Sequence, residues 1–184
     1  MTAGLAEKSS AAPASTATAD RELLITRVFD APRGLVFKAW SDPEHLMRWS
    51  APHGCTLQFY KFDFRPGGVF LHLLRNPTGH DCLCKGTYRE IVAPERIVWV
   101  NTFSDPDGNL VKAPFEIDFP LEILNIVTLE EQNGKTLLTL RGGPINETAE
   151  QRAVYEGMFD SMRQGFGGTW DQLEAYLATE HARA

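Results

Sequence analysis

Residues 121–140 read LEILNIVTLEEQNGKTLLTL, two runs of β-branched and aliphatic side chains on either side of Asn133-Gly134. Asn-Gly accepts positive φ at both central positions of a two-residue turn, so it predicts a hairpin of two strands, 121–131 and 135–142. Such a turn pairs Gln132 with Lys135, and counting outward sets Leu129 against Leu138 and Val127 against Leu140. Because side chains alternate along a strand, Leu121, Ile123, Asn125, Val127 and Leu129 share a face with Thr136, Leu138 and Leu140. That face is apolar, and Asn125 is its polar member on the first strand. The opposite face, with Glu122, Leu124, Ile126 and Thr128, is half apolar and suits a homodimer contact, so both monomer and homodimer stay open.

Moving toward the N-terminus, period-two runs recur. Residues 82–92 and 96–104 flank Ala93-Pro-Glu95, and residues 55–64 and 69–75 flank Arg65-Pro-Gly-Gly68. Pro presets one turn dihedral and Gly accepts positive φ, so both read as strand pairs. Between 105 and 120, Asp105-Pro-Asp-Gly-Asn109 and further prolines predict a loop of about fifteen residues, a length that often marks a binding segment or gate. At the start, Glu22–Phe29 reads as a first strand. Asp30-Ala-Pro32 then opens a helix that places Leu35, Val36, Ala39 and Trp40 on one face, with Asp30 as its cap. Ser41-Asp-Pro-Glu44 reads as a capping box opening a second short helix to Trp49, Glu44 reaching back to the Ser41 amide.

Beyond the hairpin, Thr148-Ala-Glu-Gln151 is a capping box for a helix running to about residue 178. Tyr155, Phe159, Met162, Phe166, Trp170, Leu173 and Leu177 recur at spacings of three and four, one apolar stripe that must face the sheet. Gly165, Gly167 and Gly168 interrupt it, each at a cost of about 1 kcal/mol relative to Ala. A kink, a close approach of backbone to sheet, or space left above a pocket would account for them. The fold class is therefore α+β: a curved antiparallel sheet of about seven strands closed by a long C-terminal helix, with two short helices after strand one.

The 184 residues suit one domain, 21–180, between a disordered tail at 1–20 and a short tail at 181–184. Residues 1–20 are rich in Ala, Ser and Thr and lack the basic leader and apolar run of a secretory signal. No apolar stretch is long enough to insert in a membrane. Eighteen basic against twenty-four acidic residues give a net charge of −6, which removes the electrostatic basis of nucleic-acid binding. Three cysteines, Cys55, Cys82 and Cys84, are an odd and sparse set that fits reduced thiols in the cytoplasm. The sequence implies no cofactor. Cys82-Leu-Cys84 with His80 lacks the second Cys/His pair that a zinc site draws on, so no metal is expected either.

The order strand, two short helices, six strands and long helix resembles the helix-grip fold of the START and birch-pollen-allergen-like superfamily. Particular stretches narrow the resemblance to domains homologous to the activator of the 90-kDa heat-shock-protein ATPase, the bacterial stand-alone set. They are Asp30-Ala-Pro32 with Val36-Phe-Lys-Ala-Trp40, Asp42-Pro-Glu-His45 ending in Trp49, and Pro52-His-Gly54. Asp63-Phe-Arg-Pro-Gly-Gly68, Gly86-Thr-Tyr-Arg-Glu90, Pro94-Glu-Arg96 and the Gly165-to-Leu177 run complete them, covering about residues 22–178. The resemblance implies a cavity between sheet and helix that holds a small apolar ligand. It also implies a second reading, an interaction module for a chaperone ATPase with a role in stress response.

Alternation assigns the cavity-facing side chains. Tyr60 and Phe62 lie on the less charged side of their strand, Phe70 and His72 on the next, Tyr88 and Glu90 opposite Lys85 and Arg89, and Trp99 and Asn101 after them. With Trp49, Asn125 and the helix residues Phe159, Met162 and Phe166, these are the candidate ligand-binding set. A third reading makes Glu90 or His72 the general base of a small cyclase or hydrolase, with Tyr88 and the amides orienting a carbonyl. No complete nucleophile-and-base constellation is present, so binding without catalysis is the first reading and an enzyme stays open.

Overall fold

The computed structural model describes residues 22–79, 81–114 and 116–183, and the expected tail at 1–20 lies outside them. The chain runs β1 (Leu23–Phe29), α1 (Arg33–Ser41), α2 (Pro43–Trp49), β2 (Thr56–Phe62), β3 (Val69–Arg75), β4 (Cys82–Val92) and β5 (Arg96–Ser104). It continues through β6 (Leu110–Val111), β7 (Glu122–Gln132), β8 (Lys135–Ile145), α3 (Ala149–Gly157) and α4 (Phe159–His181). The strands form one antiparallel sheet in the order β1-β8-β7-β5-β4-β3-β2, and β6 pairs with β5 inside the segment expected to be a loop. The first two strands in sequence are thus the two edges of the sheet. The α1–α2 pair has to connect those edges.

The hairpin register is the one the Asn133-Gly134 turn dictates: Gln132 pairs with Lys135, Leu129 with Leu138 and Val127 with Leu140. Both turn residues have positive φ, 53° and 80°. A second tight turn, Arg65–Gly68, needs its last residue to be glycine, because a Cβ at Gly68 would lie 2.1 Å from the Asp63 carbonyl oxygen. Tyr88 of β4 clamps this turn, donating its N–H to the Gly68 carbonyl and accepting from the Gly67 N–H. The β2–β3 hairpin is therefore fastened to the strand that carries the centre of the concave face.

Two expected caps differ in place. Pro32 is the N-cap of α1 and makes no side-chain bond; Asp30 instead meets Lys135 at 3.4 Å. Asp42, not Ser41, caps α2, accepting from the Glu44 amide, because Asx side chains reach the amide two residues on more readily than Glu44 reaches back. The Thr148–Gln151 capping box forms as expected.

The single C-terminal helix is two helices. The break falls at Met158, after Gly157, and the three glycines farther on lie inside an unbroken α4. A Cβ at Gly165, Gly167 or Gly168 would meet nothing within 4 Å outside the helix's own backbone, so a close approach to the sheet does not account for them. Alanine at any of the three is expected to stabilise the fold by about 0.5–1 kcal/mol through loss of unfolded-state freedom. A rise in melting temperature that grows from single to triple variant is the result to look for, and an unchanged or lower value would reject it.

The apolar stripe of α4 has two jobs along its length. Trp170, Leu173 and Leu177 are buried against Phe29, Val127, Leu129, Leu138 and Leu140 of the sheet and Val36, Ala39 and Trp49 of α1 and α2. Burial of each such side chain contributes about 1.5–3 kcal/mol. Gln172 donates to the Ala51 carbonyl at 2.8 Å, and Arg27 of β1 donates to Asp171 at 2.6 Å and also pairs with Glu174. One end of α4 is thus fixed to a solid core. The other end, around Met162 and Phe166, is half-buried and sits over the site.

Candidate functional site: a cavity between sheet and helix

The concave face of β3, β4, β5 and β7 does not fill completely beneath the N-terminal half of α4. A cavity of about 400 Å³ remains. Trp49, Phe62, Phe70, His72, Tyr88, Trp99, Asn101, Asn125, Met162 and Phe166, all expected from the sequence, lie on its wall. Trp40, Phe59, Tyr155, Thr169 and Trp170 join them, as do Phe119, Pro120 and Leu121 at the end of the long connection. Among the described lining residues none is Asp, Glu, Lys or Arg.

Three expected residues lie elsewhere, each for a local backbone reason. In β2 the register shifts between Phe59 and Lys61, a bulge that turns Tyr60 out to 56% exposure and brings Phe59 and Phe62 inward together. In β4 a second shift between Tyr88 and Glu90 reverses the alternation, so Glu90 points outward and pairs with Arg96 at 3.1 Å. Past the break at Met158, Phe159 packs edge-on against Tyr155 at 5.5 Å and lies under the Arg163 guanidinium. The catalytic trio of Glu90, His72 and Tyr88 therefore does not assemble: Glu90 is on the other side of the sheet.

The wall is an aromatic shell. Trp40 meets Trp49 at 4.9 Å edge-to-face and Trp99 at 6.0 Å, while the Trp49 indole N–H donates to the Ala39 carbonyl at 3.0 Å and locks α2 onto α1. Phe70 stacks on His72 at 5.8 Å and leans on Tyr88 at 5.2 Å. The ring of Phe70 lies directly over Gly86, its cross-strand partner on β4. Phe119 bridges Phe103 of β5 and Tyr155 of α3, which fixes the end of the long connection as part of the rim.

Burial sets the protonation states. It pushes the His72 imidazole down to about 4, so the ring is neutral near neutral pH. It raises the Tyr88 phenol far above its ordinary range and the Tyr155 phenol to about 12, helped there by the Glu22 charge. The Cys84 thiol, next to His72 in the sheet, is pushed up to about 12 by burial and by Cys82. His72, Tyr88 and Tyr155 on the wall, and Cys84 beside them, are thus held in their uncharged forms.

An antiparallel sheet closed by a C-terminal helix over an aromatic cavity, with a short helical pair between the edge strands, is the helix-grip architecture. The sequence model of the family described as "Activator of Hsp90 ATPase homolog 1-like protein" matches residues 30–178, and the chain belongs to that family. Solved structures of similar shape come from bacteria. A Mycobacterium smegmatis protein superposes with a TM-score of 0.70 at 24% identity, over 86% of this chain and 91% of its own. A Nitrosomonas europaea protein gives 0.70 at 27% identity, over 89% and 98%. An Arthrobacter aurescens protein gives 0.71 at 22%, over 88% of each chain. No curated protein matches the chain. Among the described residues no helix is long and apolar enough to cross a membrane.

Proposed function

We propose that this protein binds a small apolar ligand in the cavity between its sheet and α4. The observation that supports this is the lining itself, an aromatic and aliphatic wall around about 400 Å³ with no charged side chain among the described residues. A concave, mostly apolar space with a few polar groups is the usual form of a small-molecule site. Leaving such a volume unfilled forfeits packing energy that a bound ligand restores. Native mass spectrometry of the purified protein is expected to show an apolar adduct that organic extraction removes, and the extracted protein should melt at a lower temperature. Met162→Trp, which puts an indole in place of the thioether in the roof, should reduce the adduct. A mass equal to the bare chain, together with no thermal shift from any apolar compound added to saturation, would reject the proposal.

The family description favours a second reading, an interaction module for a chaperone ATPase. The same preparation assayed with a bacterial Hsp90-class ATPase separates the two: cavity binding alone predicts no stimulation, and saturable stimulation would favour the second.

A further inference from the structure

The oxygens of two cavity-lining residues, Tyr155 and Asn125, converge on one glycine. Gly142 of β8 is the cross-strand partner of Asn125 on β7. A Cβ at Gly142 would sit 3.2 Å from the Tyr155 hydroxyl oxygen and 3.4 Å from Asn125 Oδ1. Both groups therefore overhang the same bare stretch of backbone, one from α3 and one from β7, and glycine lets them approach it closely. Asn125 Nδ2 donates to the Ile123 carbonyl at 3.1 Å, which orients the carboxamide with its oxygen toward Gly142. Tyr155 is 2% exposed. Among the described residues neither the Tyr155 hydroxyl nor Asn125 Oδ1 has a hydrogen-bond partner.

The two atoms differ in what they can do. A carboxamide oxygen only accepts a hydrogen bond, whereas a phenolic hydroxyl both donates and accepts. A ligand hydroxyl completes both, donating to Asn125 Oδ1 and accepting from Tyr155. A carbonyl satisfies Tyr155 and leaves the Asn125 oxygen facing another oxygen. A carboxylate fares worse, since no Lys or Arg among the described residues lines the cavity to offset its desolvation. We infer that the cavity anchors an uncharged, apolar ligand by a hydroxyl group, an alcohol or a phenol, held between Tyr155 and Asn125 above Gly142. With its own phenol kept protonated by burial, Tyr155 holds a proton to donate throughout the neutral range. This rests on the cavity being a ligand site and adds which chemical group the site reads.

Three compounds of one ring system test it on the intact chain: 2-naphthol, 2-methylnaphthalene and 2-naphthoate, titrated by calorimetry at neutral pH. Two hydrogen bonds at a desolvated site should make 2-naphthol bind about tenfold or more tighter than 2-methylnaphthalene. The carboxylate should not bind measurably. Tyr155→Phe should bring 2-naphthol to within about threefold of 2-methylnaphthalene and leave the latter unchanged. Gly142→Ala, which puts a methyl between the two oxygens, should do the same by an independent change. Equal affinity of wild type for 2-naphthol and 2-methylnaphthalene would overturn the hydroxyl anchor while leaving the cavity a ligand site. Binding of none of the three would overturn the ligand-site reading itself.

Discussion

Replacing Gly86 with alanine is expected to lower stability by about 3 kcal/mol and to close the cavity to ligands. The new Cβ would lie 1.8 Å from Cζ of Phe70 and 2.1 Å and 2.5 Å from its two Cε atoms, so ring and methyl cannot coexist. Phe70 is buried and held by Phe59, His72 and Tyr88, and it cannot move outward through the sheet. The open direction is the cavity that it lines. Displaced there, the ring takes up ligand volume and gives up its stacking on His72. Equilibrium denaturation measures the first consequence and titration with an apolar probe the second. Phe70→Leu in the same chain removes the clashing ring atoms, so the double variant should recover much of the stability that Gly86→Ala loses. If Gly86→Ala alone is as stable as wild type and binds as well, the ring is not seated over the glycine.

What the sequence shows of this fold follows from where its signals are local. Asn133-Gly134 determines its own turn, and the register of β7 and β8 then follows by counting, which is how Asn125 could be placed on the concave face. The bulges in β2 and β4 have no such mark. The extra residues, Tyr60 and Arg89, are not glycines, and a one-residue slip reverses every assignment beyond it. Phe59 was hidden and Tyr60 promoted by the same slip. The break at Met158 was equally silent, because three glycines downstream gave a stronger helix-breaking signal than Gly157 did.

The candidate site was legible in its chemistry more than in its outline. Aromatic residues on alternating positions of β3, β4 and β5 marked the wall, and Tyr155 and Trp170 already stood in the helical stripe. Their position over the cavity depends on how α3 and α4 cross the sheet, which periodicity does not encode. Gly142 carried the least signal of all: only the structure brings Tyr155 and Asn125 over it.

Acidification should unfold the protein early, and His72 should account for about 3 kcal/mol of the loss. In the fold its imidazole titrates at about 4 against an ordinary value of 6.5, and burial is the cause. Among the described residues its buried Nδ1 has no hydrogen-bond partner, the rings of Phe59 and Phe70 flank it, and no carboxylate lines the cavity to balance a charge. Cys84, its neighbour on β4, stays a neutral thiol and offers no counter-ion. The sign follows from proton uptake. Above about pH 6.5 both states hold a neutral ring and His72 contributes nothing to the pH dependence. Between about 6.5 and 4 the unfolded chain binds a proton that the folded chain refuses, so stability falls with pH, by about 2 kcal/mol at pH 5 and about 3 at pH 4. His72→Phe keeps an aromatic ring between Phe59 and Phe70 and removes the titration. Denaturation curves of the two proteins should lie close together at pH 7 and diverge in favour of the variant as pH falls through this window. Parallel curves down to pH 4 would mean that the His72 ring accepts its proton in the folded state, and the cavity would then not be the desolvated, uncharged space on which its selectivity depends.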